Sequence, residues 1–424
     1  MVENALQLLF LNLLWRASDL VKMEAITTER EDSEYEIKLS QLNQSRDDLY
    51  QLVVDLSVGS TSNSTESVKS KAFKILMELA ILFTNGRSKE FSTGISKHSS
   101  IEFSEEIQLR CMGYVEAEIE QFAQDCRFNA DEGNEEDDDE VSEGDDSSDD
   151  EAQSKTKKKT KATSKAKQSK KTKKQESTLA LQPDHIDKTY EFSEMIAVTV
   201  KSIRLGVMPI DKLPVILAHH GRFGVLFDSL NKLALDAIRE ISLYAGSEYY
   251  LGIVQVISSS LVSAHKLLLE GKVDDDSHLI SLGRSLSSSL IVRGAQLKIV
   301  KKTSPNVIVA IHKRVLTDLV DNLKPVVGEQ RKNAAKISQI NSGFKALHHL
   351  LAAGPSGLIE GKHVLEVKNF YDELLKSAEI AVGTSSKIWD GARSYEKKLV
   401  NLIAKDKSEY AVVYGIILTS CRSC

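Results

Sequence analysis

The chain has 424 residues, 41% hydrophobic and only 6% aromatic, with 22 Gly and 6 Pro. So long a chain with so few strand formers and breakers favours helices, in more than one packing unit. Lys and Arg number 55 against 61 Asp and Glu, a formal net charge of -6, which excludes a whole-protein field that would draw the chain onto DNA or an anionic membrane. Four Cys (Cys111, Cys126, Cys421 and Cys424) exclude a disulfide-built secreted fold and indicate a reducing compartment.

The apolar run from Leu6 to Trp15 is shorter than a membrane span, and Glu3 stands where a signal peptide would carry positive charge. It predicts a buried helix and neither a signal nor an anchor. From Tyr35, the series Leu39, Leu42, Leu49, Leu52, Val53 and Leu56 has the three-and-four spacing of one helix face and ends at the turn 57–63. Val68, Ala72, Ile75, Leu76, Leu79, Leu82 and Phe83 repeat the pattern and stop at Asn85-Gly86, a C-terminal cap sequence. Ser104 is placed to cap a further helix carrying Ile107, Cys111, Tyr114, Val115, Ile119 and Phe122.

Helical periodicity resumes near Pro183 and predicts segments over 186–205, 211–218, 225–244, 248–269, 278–291, 305–323, 333–353, 364–382 and 395–404. No period-two run is long enough to make a sheet. Amphipathic helices joined by short turns are the mark of an α-solenoid, so the expected fold is an all-α, HEAT-like helical-repeat solenoid. Helix order and length carry this expectation, since no clean repeat motif stands in the sequence.

Between the helical parts 1–128 and 183–424 lies an insert, 129–182, of another character. Residues 131–151 are nearly all Asp, Glu, Ser and Gly, and 155–174 nearly all Lys, Thr, Ser, Ala and Gln. Neither half has apolar residues whose burial would offset the entropy of ordering, so disorder is expected. Ser142, Ser147 and Ser148 each have an acidic residue three positions on, which makes them candidate phosphorylation sites. Lys157, Lys158, Lys159, Lys170 and Lys171 form a block open to three readings: a nuclear import signal, an arm that follows DNA phosphates by charge, or a solvated linker.

The nucleotide, metalloprotease and serine-hydrolase signatures are missing, and Gly383-Thr384-Ser385-Ser386-Lys387 lacks the first glycine of a phosphate loop. The pairs His219-His220 and His348-His349 are adjacent on helical patterns, and neighbours about 100° apart cannot chelate one ion as i, i+4 residues can. They are expected to be packing or surface histidines. Cys421 and Cys424 have the spacing of half a zinc knuckle with no second half. No catalytic residue, metal or cofactor is expected. Lys298, Lys301 and Lys302, at i, i+3 and i+4, would share one helical face, with Lys313 and Arg314, then Lys332 and Lys336, on the following helices. If those helices stack, the clusters could form a basic, DNA-binding ridge; solvated charge is the alternative.

The segment Leu9 to Arg16, with its leucine, asparagine and tryptophan pattern, resembles a helix of the fungal stromalins, the helical-repeat subunits of cohesin. The resemblance continues through Val68 to Phe83, the acidic insert, His220-Gly221-Arg222-Phe223-Gly224, Leu290 to Gln296, Ile311-His312-Lys313, and Trp389 through Leu399. It consists of helix order and scattered residues, without one diagnostic motif. It implies a nuclear, chromatin-associated scaffold that binds the kleisin subunit and, through it, the coiled-coil ATPases. Loading and release factors and weak, sequence-independent DNA contact in sister-chromatid cohesion are also implied, and no membrane. The resemblance also implies that family members carry further repeats ahead of the point where Met1 stands, so a fragment or truncated gene model is expected. Carried over residue by residue, it makes His220, Arg222 and Phe223 candidate kleisin contacts, although some relatives have an acidic residue near Arg222. An importin-like transport receptor is the alternative function, and the mixed acidic and lysine insert disfavours it.

Overall fold

The computed structural model describes residues 1–24, 32–59, 63–84, 99–132, 183–244, 246–294, 299–329, 332–351, 358–359, 361–383 and 386–420. Among them are thirteen α-helices: α1 (Val2–Glu24), α2 (Asp32–Ser57), α3 (Glu66–Phe83), α4 (Glu105–Glu132), α5 (Pro183–Arg204), α6 (Pro214–Leu217), α7 (Gly224–Tyr244), α8 (Tyr250–Leu269), α9 (Ser277–Ser289), α10 (Pro305–Val327), α11 (Ala334–Leu351), α12 (Lys362–Ser377) and α13 (Asp390–Ser420). Short 3-10 turns at Ile210–Lys212, Ser247–Tyr249 and Lys387–Trp389 lead into α6, α8 and α13.

The order of packing is regular. α1, α2 and α3 pack on one another. Beyond them α3, α5, α7, α9, α11 and α13 pack each on the next in one row, and α4, α6, α8, α10 and α12 do the same in a second. Each helix therefore lies beside the helix two positions away, as it must when short connections send an amphipathic chain back and forth between two layers. A single apolar core runs between the rows, from Leu6 and Phe10 through Phe73, Ile196, Ile238 and Ile257 to Leu316, Phe344 and Tyr395. The stretch Ser247–Leu269 is long and apolar enough to cross a membrane, yet more than half of it is buried against α6, α10 and α11, which makes it a core helix.

Local signals fix the helix ends. Ser104 Oγ accepts a hydrogen bond from the Ile107 amide at 3.4 Å, the expected cap of α4. Pro305 and Pro214 stand in the first turn of α10 and α6, where a missing N–H costs nothing. Three helices end in the paired bonds of a Schellman motif: Gly206 to Ile203 with Val207 to Ser202, Gly271 to Leu268 with Lys272 to Leu267, and Glu379 to Lys376 with Ile380 to Leu375. The left-handed residue is glycine in two of them and Glu379, at φ 54°, in the third.

Some sequence expectations are corrected. No sheet is expected from the sequence, yet Ile291–Arg293 (β1) and Ile299–Lys302 (β2) pair antiparallel, with Ile291 opposite Lys302 and an irregularity between Val292 and Arg293. The strands are three and four residues long, too short to show a period, and they are rich in β-branched residues beside Gly294. α4 continues to Glu132, a few residues into the expected insert, whereas α12 stops at Ser377 and α13 starts at Asp390, five residues before Tyr395. Finally, α1 is buried on one side only: Leu6, Phe10, Leu13, Ala17 and Leu20 face α2 and α3, while Leu8, Leu11 and Trp15 are exposed.

Candidate functional site

The junction between α6 and α7 carries the candidate residues His220, Arg222 and Phe223 and is tightly constructed. The Gly221 amide donates to Asp228 Oδ1 at 2.9 Å, and the Arg222 amide to the His219 carbonyl at 3.1 Å. Arg222 directs Nη1 to His219 Nδ1 and Nη2 to the Lys272 carbonyl at 3.2 Å, and its guanidinium lies 5.1 Å from the centre of the Phe223 ring. Phe223 meets Phe122, Phe192 and Phe227 edge-on at 5.4, 5.8 and 5.1 Å, while Phe122 and Phe192 stack at 4.1 Å. Four of the twelve phenylalanines thus join α4, α5 and α7 at one point, a geometry that adds to simple burial.

Beside this ring cluster opens a polar cleft of about 180 Å³ lined by Arg222, Lys272, Val273, Asp274, Asp275 and His278. Lys272 is paired with Glu120 at 3.0 Å and Glu270 at 3.4 Å, and Asp275 accepts the Ser277 amide at 2.9 Å at the head of α9. Desolvation by burial, with the positive charges of Arg222 and Lys272 acting the same way, lowers the His219 pKa to about 3, so its ring is neutral and accepts the arginine proton. His220 turns away from His219. Its Nε2 lies 3.2 Å from Ser285 Oγ and 3.4 Å from Ser281 Oγ, and its buried Nδ1 has no hydrogen-bond partner.

A serine beside a histidine suggests a nucleophile and base, but the third member is missing. Asp228 gives Oδ1 to the Gly221 amide, and no carboxylate bonds His220 Nδ1 to set its tautomer. No group of three His, Cys, Asp or Glu poised to hold a metal occurs among the described residues. His219 packs against Phe223 with ring centres 5.5 Å apart, and His348 and His349 are half-buried with rings at 85°. The arrangement is a guanidinium held over an aromatic ring, edged by charges of both signs.

Lys301 and Lys302 do not share a helical face. Lys298 lies outside the described residues, and Lys301 and Lys302 are consecutive residues of β2, where side chains alternate between the two faces of the hairpin. Lys301 Nζ instead sits 4.1 Å from the centre of the Tyr244 ring. On α10, Lys313 pairs with Glu366 at 2.7 Å, and beyond it Lys332 pairs with Glu329 at 3.2 Å. Lys157, Lys158, Lys159, Lys170, Lys171, Ser142, Ser147 and Ser148 lie outside the described residues, as do Cys421 and Cys424.

A second polar cluster lies deep in the C-terminal half. His312 Nδ1 and the Tyr395 hydroxyl are 2.8 Å apart, Tyr371 meets Tyr395 edge-on at 5.8 Å, and Phe344 closes the group. Burial lowers the His312 pKa to about 3 and raises that of Tyr395 far above the usual phenol value. The cluster is sealed, with His312 and Tyr395 fully buried, and it ties α10, α11, α12 and α13 together. Sequence reasoning passed over it, and over Phe192 and Phe227, because aromatic residues on separate helices announce no common site until the helices pack.

The class the chain defines is a two-layer, all-helical array in which an aromatic and arginine junction ties α4, α5 and α7 together. No family model, curated protein or solved structure matches the chain.

Proposed function

We propose that this chain is a non-enzymatic, HEAT-like helical-repeat scaffold that serves as a stromalin-type subunit of cohesin, binding a kleisin segment and supporting DNA association in the nucleus. The observation that supports it best is the regular packing of each helix on the helix two positions away, the organisation of a repeat array in which neighbouring repeats share one core. Arg222 and Phe223 stand where two such rows meet, beside a small cleft with cationic and anionic walls, a chemistry that suits polar side chains of a partner better than an apolar ligand. DNA contact falls to the lysine block 155–174, since the lysines at β2 and α10 are held in local contacts.

Affinity purification of the tagged chain followed by mass spectrometry tests the proposal. Recovery of a kleisin with paired coiled-coil ATPases, lost on Arg222→Glu, is the expected result. Recovery of nucleoporins and a small GTPase would replace it with a transport receptor.

A further inference from the structure

In a chain whose net charge is -6, the neighbouring helices α9 and α11 contain no Asp or Glu. Close approaches hold them and α13 side by side. A methyl group at Gly283 would lie 2.6 Å from the Ala346 carbonyl oxygen, so α9 runs directly against α11. Gly391 faces the Asn341 carbonyl in the same way, and the Ala392 amide donates to Asn341 Oδ1 at 3.3 Å. Contacts advance in the same sense along each pair: Asp276 to Ser342 and then Gly283 to Ala346, Asn341 to Gly391 and then Phe344 to Tyr395. The three helices are therefore parallel, and Arg284 of α9, His348 and His349 of α11 and Lys398 of α13 reach the surface at one level.

Arg284 is exposed, Lys398 and the two imidazoles are half-buried, and the histidine rings stand 6.0 Å apart. These groups act on one another: burial and then Lys398 hold His348 below its ordinary pKa, and burial, Arg284 and His348 do the same to His349. The carboxylates at the margin are already engaged, Asp276 by Lys345 at 2.7 Å, Glu396 by Lys368 at 3.3 Å and Asp390 by Arg393. Among the described residues neither Arg284 nor Lys398 has a carboxylate partner, whereas Lys313, Lys324 and Lys368 each have one. A cation in the last turn of a helix answers the helix dipole, which accounts for His348 and His349 at the end of α11. The dipole does not account for Arg284, five residues before Ser289, or for Lys398 in the interior of α13. Gathering like charges opposes the compact state unless a counter-charge covers them.

We infer that the surface shared by α9, α11 and α13 docks an acidic, phosphoserine-bearing segment of a partner protein, with Arg284 and Lys398 gripping a phosphate group and His348 and His349 donating to it. A guanidinium meets phosphate through two parallel N–H bonds, and an ammonium and imidazoles supply further donors to its three acceptor oxygens. The chain's own acidic tract has a nearer counter-charge: residues 133–151 hold 12 acidic residues, and 155–174, a few positions on, hold 11 lysines. So short a tether gives those lysines the higher effective concentration. Duplex DNA suits the surface less, because both imidazoles are neutral at pH 7 and Asp276 and Asp390 flank it, which favours a compact dianion over a continuous run of phosphates. The inference is independent of the Arg222 junction and of the cohesin reading.

The test is a nuclear magnetic resonance titration of the full chain, carrying isotope-labelled histidine, with a synthetic peptide of alternating phosphoserine and glutamate. His348→Gln and His349→Gln assign the two ring signals, so a peptide caught elsewhere on the chain is not mistaken for one on this surface. The peptide should move both signals and bind about 3-fold more tightly at pH 6.5 than at pH 7.5, because the rings take up protons as the phosphate docks. Arg284→Glu with Lys398→Glu should weaken it by about 10-fold while the helical circular dichroism stays unchanged, and Lys362→Glu on α12 should have no effect. The serine and glutamate peptide without phosphate should bind more weakly. Ring signals that ignore the phosphopeptide overturn the inference, as does binding that survives the double variant or is as tight without phosphate. Signals moved by duplex DNA at lower concentration than by the peptide assign the surface to nucleic acid instead. Signals that shift when 133–151 is deleted, with no peptide added, assign it to the chain's own tract.

Discussion

Three histidines make the stability of this protein fall steeply in mild acid. Desolvation lowers the pKa of His219 to about 3, His265 to about 4 and His312 to about 3, from 6.5 in the open chain. The fold holds each ring neutral, so the unfolded chain binds the proton first. The contribution of the three rings is level above pH 6.5 and is lost as the pH drops from 6.5 towards the folded values. One ring contributes a loss of about 1.4 kcal/mol per pH unit, hence about 2 kcal/mol at pH 5 and about 6 kcal/mol for three, comparable with the whole stability of many domains. Glu118 acts in the opposite sense: burial first, and then Glu66, raise its pKa from 4.5 to about 7, so the deficit it carries above pH 7 is relieved as the pH falls towards 4.5. It is half-exposed, and its compensation is correspondingly smaller than the histidine loss. Urea unfolding followed by circular dichroism between pH 7.5 and 5 measures the slope. His265→Gln, which keeps a donor for the Gln339 carbonyl that His265 reaches at 3.2 Å, should lower the slope by one proton. A flat profile over that range, or the same slope in the variant, would refute the account.

Three other outcomes are expected. Glu379→Gly should raise the thermal midpoint and stabilise the fold by about 1 kcal/mol, because Glu379 occupies the left-handed position of a Schellman motif that glycine fills after α5 and α8; Gly206→Ala should do the reverse. A methyl group added at Gly391 would meet the Asn341 carbonyl oxygen at 2.1 Å, so Gly391→Ala must part α13 from α11 and should cost about 2–3 kcal/mol, read in urea midpoints. In titrations of fluorescent duplex DNA at several salt concentrations, deleting 155–174 should weaken binding and flatten the dependence on salt, by about 0.9 in slope for each phosphate that is no longer neutralised. Glu substitutions at Lys301 and Lys302 should do less.

Much of the helical order is legible in the sequence, because apolar spacing in α2, α3, α4 and α10 reports a single buried face. Ser104 and Pro305 mark helix starts by chemistry that acts within one turn, so they too can be read locally. The hairpin at 291–302 cannot, since strands of three and four residues carry no period and depend on pairing across a loop. The same dependence on distant partners hid the Phe122, Phe192, Phe223 and Phe227 cluster: each ring reads as ordinary core until α4, α5 and α7 converge. In α1, apolar residues on every side are compatible with complete burial, and only the packing shows that Leu8, Leu9, Leu11 and Trp15 are exposed. Glu379 gave no cue at all, since the bonds that impose its conformation come from the backbone.

The stacking of Phe122 on Phe192, with Lys188 of α5 beside Asp125 of α4 at 3.5 Å, has a bearing on covalent continuity. α4 and α5 flank residues 133–182 in the sequence and pack against each other. Contacts between α3 and α5, including Lys74 to Glu194 at 2.6 Å, join the two halves without using the peptide bonds of residues 133–182. A protease cut in that stretch would therefore leave a nicked but undivided particle. Two polypeptides ending and beginning there could be produced separately and reconstituted, so cleavage and disassembly are separable events in this molecule.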